Sequence, residues 1–209
     1  MKSLLKEIGP VTFPENTGER VYMLPFTRRE GLPAHLSRWQ LTIDAMLQGV
    51  ETDGPIYLMI DQGIVKAGSP HRRGGAHIDG NWNPGVSAHG SGGGHGPRPG
   101  HGPSPGLPGH KPGGLHGSLG GSWDSHNFAP EALILASDVT ASCGYLGEID
   151  GNPKEGGDCS HLDLSTAHRV PLLAGRSYAG NVTMVHESLP LLRDCQRTLV
   201  RLNVPGFEF

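Results

Sequence analysis

Apolar positions in this chain fall into short runs broken by Gly, Pro and charged residues, with one exception. Between Leu32 and Leu47 the residues Leu32, Leu36, Trp39, Ile43, Met46 and Leu47 recur mostly at spacings of three and four. Pro33 suits a first turn and Gly49 a stop, so the pattern predicts one amphipathic helix packed on a sheet. His35 lies one residue off that stripe and reads as a surface histidine. Residues 1–30 read as edge strands and loops, broken by Pro10, Pro14, Gly18 and Pro25. The continuous runs Pro55 to Asp61 and Glu131 to Ser137 have strand length and predict strands buried on both faces. Ser142 to Ile149, Cys159 to Leu164, Arg169 to Leu173, Tyr178 to His186 and Arg197 to Val204 are further strand candidates, as is the stretch around His77. Many short strands after one helix indicate a sandwich or jelly roll rather than alternating βα units.

Composition changes this picture in one place. The chain of 209 residues suits a single domain, 1–209, and its 17 Lys and Arg against 20 Asp and Glu leave no general nucleic-acid or membrane-binding surface. Three cysteines without C-x-x-C spacing make no closed disulfide set, which suits a reducing compartment or buried thiols. No apolar run reaches membrane-span length, and the first residues lack a signal-peptide core, so the expectation is a cytoplasmic chain made without Sec export. Gly and Pro number 33 and 18, and most of them lie between Pro84 and Gly121. Residues 84–122 therefore read as an insert within the domain.

The insert has a phase. His89, His95, His101, His110 and His116 are separated by six, six, nine and six residues, all multiples of three. A polyproline II helix has three residues per turn, so the imidazoles would share one edge while the other two edges are nearly all Gly and Pro. Such helices could pack side by side through their bare edges. No edge is all Gly, which excludes a collagen triple helix. A solvated loop grown by duplication is the simpler reading of the same repeat.

Candidate chemistry centres on Gly75-Ala76-His77-Ile78-Asp79-Gly80. On a strand His77 and Asp79 would point to one face, and an imidazole plus a carboxylate is two thirds of the facial triad that holds non-haem Fe(II) with open positions. His186, in the apolar run Val182 to Ser188, is the third candidate. It is preferred to His126, His161 and His168 by order, strand position and the arginines after it. Glu155-Gly156-Gly157-Asp158, Leu172-Leu173-Ala174-Gly175, Val185-His186-Glu187 and Arg197 to Leu202 together resemble the closing half of the Fe(II)/2-oxoglutarate-dependent oxygenase family. In that family a Gly-Gly turn and a later Gly precede the distal histidine, and an arginine follows it on the last core strand.

The resemblance spans about 55–80 and 131–204, and it implies a double-stranded β-helix (jelly roll) with a supporting N-terminal helix. It implies Fe(II) on His77, Asp79 and His186, with 2-oxoglutarate as co-substrate held by Arg197, eleven residues after His186. Arg201, fifteen after His186, matches a second inward arginine of the taurine-dioxygenase branch and would serve substrate or support. Asn81 and Trp82 would line the substrate mouth. The implied reaction is hydroxylation of a C–H bond in an unidentified substrate. Tyr57, Tyr145 and Thr183 are candidates for the hydroxyl that partners the arginine.

Two rivals use the insert. It could be an assembly or receptor-binding element, as in phage tail-tip adhesins, giving a virion-associated homo-oligomer or larger assembly with the barrel as scaffold. Alternatively its histidine edge could store or sense metal.

Overall fold

The computed structural model describes residues 1–79, 82–84, 121–123 and 129–208, with backbone alone for 82–84 and 121–123. The strands in chain order are β1 (Lys2–Ser3), β2 (Leu5–Pro10), β3 (Arg20–Phe26), β4 (Ile56–Val65), β5 (Trp82–Pro84) and β6 (Gly121–Trp123). They continue with β7 (Glu131–Ser137), β8 (Ser142–Glu148), β9 (His168–Pro171), β10 (Arg176–Gly180), β11 (Val185–Ser188) and β12 (Cys195–Pro205). The one α-helix among the described residues, α1 (Gln40–Met46), follows a 3-10 segment at Ala34–Trp39 that starts on Pro33. The described residues are mainly β, and every pairing between named strands is antiparallel. Among them no helix is long and apolar enough to cross a membrane.

The larger sheet has the order β2-β10-β7-β12-β4-β3, and its central strands explain their sequence. Successive side chains of a strand face opposite sides, and both sides are buried here. Ile56, Leu58 and Ile60 of β4, Ala132, Ile134 and Ala136 of β7, and Val200, Leu202 and Val204 of β12 pack on Leu36, Trp39, Ile43, Met46 and Leu47. That is the predicted helical stripe. The alternate positions, Tyr57, Met59 and Asp61, Leu133, Leu135 and Ser137, and Arg197, Leu199, Arg201 and Asn203, share the other face. The smaller sheet, β1-β8-β11 with β9 also on β8, meets that face. Arg197 of β12 bonds Ser142 of β8 and Ser188 of β11 across the gap.

Three expected strands differ. His77 is in an isolated bridge, paired with His186 on one side and Asp158 on the other, rather than in a strand. The left-handed Gly75, φ 80°, allows only a brief extension of chain there. Tyr178 to His186 is two strands, β10 in the larger sheet and β11 in the smaller, because Asn181 makes a turn at the crossing. Met184 N donates to Asn181 O at 2.9 Å, and Asn181 Oδ1 accepts from Leu4 N at 2.9 Å. Cys159 to Leu164 is a turn, with Leu162 N bonded to Cys159 O at 3.0 Å.

The insert lies outside the described residues apart from its ends. There Trp82 pairs with Trp123 and Pro84 with Gly121, so residues 85–120 leave and return at adjacent points. All three cysteines are free, Cys143 and Cys159 being buried.

Candidate metal centre

The two histidines are fixed first by backbone. His77 N donates to His186 O and His186 N to His77 O, both at 2.9 Å, so the residues form one hydrogen-bonded antiparallel pair. Their rings therefore lie side by side, with centroids 4.4 Å apart. Behind His77 the chain is held by Gly157 and Cys159: Ile78 N donates to Gly157 O and Cys159 N to Ala76 O, each at 2.9 Å. Gly157 has φ 75°, and a Cβ on it would run into Ile78 O. The Gly-Gly turn thus permits the close approach that seats the ligand-bearing segment.

The rings are oriented by their inner nitrogens. His77 Nδ1 lies 2.7 Å from Gly75 O and His186 Nδ1 lies 3.1 Å from Met184 O. A carbonyl oxygen only accepts, so each Nδ1 carries the proton and each Nε2 presents a lone pair. Both lone pairs face the same carboxylate atom: Asp79 Oδ2 is 3.8 Å from His77 Nε2 and 3.5 Å from His186 Nε2. The three ligand atoms all lie within 4.8 Å of one another. Three acceptor atoms thus converge on one small volume. Backbone-tethered imidazoles of this kind are the usual support of metal-ligating histidines. The His-Asp-His group can hold a metal ion.

Electrostatics keeps the ligands in the required form. Burial, the neighbouring His186 and Arg73 push the His77 imidazole down to about 3, against a smaller opposing pull from Asp79, so it is neutral at physiological pH. Burial alone would raise Asp79, but the Arg201 charge, His77 and His186 hold its carboxyl well below the ordinary range. Arg201 Nη1 donates to Asp79 Oδ2, and the next inward residue of β12, Asn203, donates from Nδ2 to the Asp79 carbonyl at 3.0 Å. Two consecutive inward residues of β12 thus grip the carboxylate ligand by side chain and by main chain. Arg201 Nη2 also touches the Sδ of Met23 at 3.6 Å. Met23 is a non-glycine residue with φ 49° at the bulge of β3, which turns its side chain inward to 3 % exposure.

Arg197 is fully buried, and its partners are three hydroxyls: Ser137 at 3.1 Å from Nε, Ser188 at 3.3 Å from Nη1 and Ser142 at 2.8 Å from Nη2. It forms no ion pair among the described residues, and burial lowers its pKa from the ordinary value. The expected hydroxyl partners are engaged elsewhere. Tyr145 bonds Glu187 at 2.6 Å, Thr183 bonds Lys2 O at 2.7 Å, and Tyr57 packs with Met23 and Met59. Sequence could not show the serines, because Ser142 and Ser188 become neighbours only through the pairing of β8 with β11.

His161 and His168 are exposed and away from the cluster, His126 and Asn81 lie outside the described residues, and Trp82 is located by backbone alone. A further group also escaped the sequence reading. Asp61, inward on β4, meets Arg72 at 3.1 Å and His71 at 3.6 Å and ties down the loop that leads to His77. Burial works to raise the Asp61 carboxyl, but His71 and Arg72 bring it to about 2.

A groove of about 510 Å³ that includes Asn16, Arg20, Gln62 and Gln196 shares no residue with the triad, so the site is identified by its donor set and not by volume. No family model, curated protein or solved structure matches the chain.

Proposed function

We propose that this chain is a jelly-roll oxygenase dependent on Fe(II) and a 2-oxo acid, of which 2-oxoglutarate is the best fit. The observation that carries the reading is the buried convergence of His77 Nε2, His186 Nε2 and Asp79 Oδ2, with both Nδ1 atoms committed to carbonyls. Two neutral imidazoles and one carboxylate form the ligand set that leaves open positions on ferrous iron. Iron held there, with a 2-oxo acid and O2, supplies oxidative decarboxylation coupled to hydroxylation of a C–H bond.

The second support is Arg197. A guanidinium buried without a carboxylate is costly, and it fits a site whose carboxylate arrives with a ligand. Its three serines orient the fork while leaving it cationic. Asp79, His77 and His186 would bind the metal. Arg201 and Asn203 set the carboxylate, and Arg197 would hold the distal carboxylate of the 2-oxo acid. Beside Ser137 and Ser142 lies a cavity of about 20 Å³, also lined by Leu135, Leu172, Tyr178 and Leu199. That volume suits about one water, so a dicarboxylate would enter by displacing side chains such as Leu199. The sheets enclosing this face would exclude bulk water from the reacting centre.

The test is anaerobic titration of the protein with Fe(II) and 2-oxoglutarate, followed by visible absorbance. A weak metal-to-ligand band in the wild type that is missing in His186→Ala supports the reading. A folded wild type that gives no band at saturating iron and co-substrate would sink it.

A further inference from the structure

Two buried side chains near the arginine-bearing face of the sheet have unused polar atoms. His71 is 7 % exposed, and among the described residues neither of its ring nitrogens has a hydrogen-bond partner, nor does Asp61 Oδ1. His71 Nε2 lies 3.6 Å from Asp61 Oδ1, beyond hydrogen-bond reach. Asp61 Oδ2 is taken by Arg72 at 3.1 Å, and Arg20 Nε stands 3.5 Å from Oδ1. Buried polar atoms without partners are costly and uncommon in folded proteins, and an arriving ligand would supply the partners. The groove of about 510 Å³ leads to them. Arg20 lines it, with a side chain 76 % exposed, and so does Gly63, two residues after Asp61 and therefore on the same face of β4. Gly63 puts no side chain between the groove and Asp61, and Arg20 Nη2 is 3.5 Å from where its Cβ would be. In the register of the sheet Asp61 is opposite Leu199 and Gly63 opposite Arg197, so the pair borders the face that carries the candidate centre.

The chemistry of the pair selects the ligand. Asp61 is ionised, so Oδ1 only accepts, and an imidazole nitrogen turned toward a carboxylate carries the proton, so Nε2 donates. An acceptor and a donor 3.6 Å apart match the edge of a carboxamide, whose N–H and C=O sit on separate atoms and can meet them in two nearly parallel bonds. A hydroxyl would have to serve both from one oxygen, at an acute angle. An ammonium would meet the guanidinium groups of Arg72 and Arg20, and a carboxylate would meet Asp61. We propose that His71 and Asp61 form the inner end of a binding site for a small molecule bearing an uncharged carboxamide, entered from the groove at Arg20 and Gly63. The site contains none of the metal ligands, and it goes beyond the function proposed above.

The experiment titrates the full chain, in chelator, with propionamide and with three probes of similar size, propanol, propylammonium and propionate. Affinity is read by ligand-observed saturation-transfer NMR, and location by the imidazole 15N signals, that of His71 being assigned by its loss in His71→Phe. The expected result is a saturable movement of the His71 signal with propionamide in wild type. Propanol should bind about tenfold more weakly or worse, for want of one good hydrogen bond, and the two charged probes should leave His71 unmoved. His71→Phe should lose propionamide binding. A His71 signal unmoved by propionamide overturns the proposal, as does propanol, propylammonium or propionate binding as tightly as propionamide. Propionamide binding unchanged in His71→Phe also overturns it, and would make His71 no more than a tie between its loop and Asp61. If His71→Phe does not fold, Gly63→Val decides, because its side chain narrows the entrance. Propionamide bound about tenfold more weakly there supports the proposal, and unchanged binding overturns it. Because chelator is present throughout, failure here leaves the iron and 2-oxoglutarate reading standing, and failure of that reading leaves this site standing.

Discussion

The His77 ring is neutral in the folded chain and ordinary in the unfolded one, so it makes stability depend on pH. Its folded value near 3 lies below the unfolded value near 6.5, hence the unfolded state binds more protons between those limits and stability rises with pH across them. The sign is the same for Asp79, whose depressed carboxyl contributes stability above the unfolded carboxylate range and loses it as pH falls further. In chelator, the stability of wild type should fall steadily from about pH 6.5 downward, by of order 5 kcal/mol for His77 by pH 3, read as a falling melting temperature. His77→Gln should flatten that slope, and a parallel slope in the two proteins would remove His77 as its source. Arg197 invites the opposite experiment. An apolar chain of similar length would remove the desolvation cost of a guanidinium that has no ion pair among the described residues, and the three serine hydroxyls it leaves can rotate to other partners. Arg197→Met should therefore keep the melting temperature or raise stability by about 1 kcal/mol, while 2-oxoglutarate affinity falls at least about a hundredfold. A strongly destabilised Arg197→Met with unchanged affinity would make the arginine a structural strut.

At the scale of elements, the ligand-bearing segment owes its position to Gly157 more than to strand propensity. With φ 75° and Ile78 O against the site of a Cβ, Gly157→Ala should cost about 2 kcal/mol or more, and it should weaken Mn(II) binding because Ile78 stands between the two ligands of its segment. Calorimetry and a titration of Mn(II), followed by loss of its free-ion EPR signal, together check this. Unaltered metal affinity in a destabilised Gly157→Ala would mean that the bridge to His186 alone seats His77. Much here was legible in sequence, for physical reasons that differ from element to element. β4 and β7 were readable because both faces are buried, which leaves apolar runs from Ile56 to Ile60 and from Ala132 to Ala136. The helical stripe was readable because only one face is buried. His77 and Asp79 were readable as a pair, being two residues apart, although the bridge that holds them is too short to be a strand. The split of Tyr178 to His186 into β10 and β11 was not read, because Gly180-Asn181 is a short interruption that a single strand can also carry and Asn181 acts through Leu4, far away in sequence. The same distance hid the Ser137, Ser142 and Ser188 cradle and the grip of Arg201 and Asn203 on Asp79.

For the whole molecule, the candidate centre is built from residues that lie outside the Gly/Pro/His-rich segment in sequence. Pro84 and Gly121 are paired, so the 36 residues between them connect two points already joined by a ladder. The triad, Arg197 and their supports all come from residues outside that loop. Replacing residues 85–120 by a turn of about four residues should therefore leave Mn(II) affinity at the triad unchanged. Loop-closure entropy favours the shortened chain by about 2 kcal/mol, which a denaturant titration can read. The five evenly phased histidines go with the excised segment, so the Ni(II) or Cu(II) capacity of the chain should drop to what the triad and exposed histidines hold. Retained Mn(II) binding with lost Ni(II) capacity would divide the metal chemistry of this protein between two places. Loss of the triad's Mn(II) affinity on excision would instead show that the segment closes over the centre, and would make its repeat part of the active site.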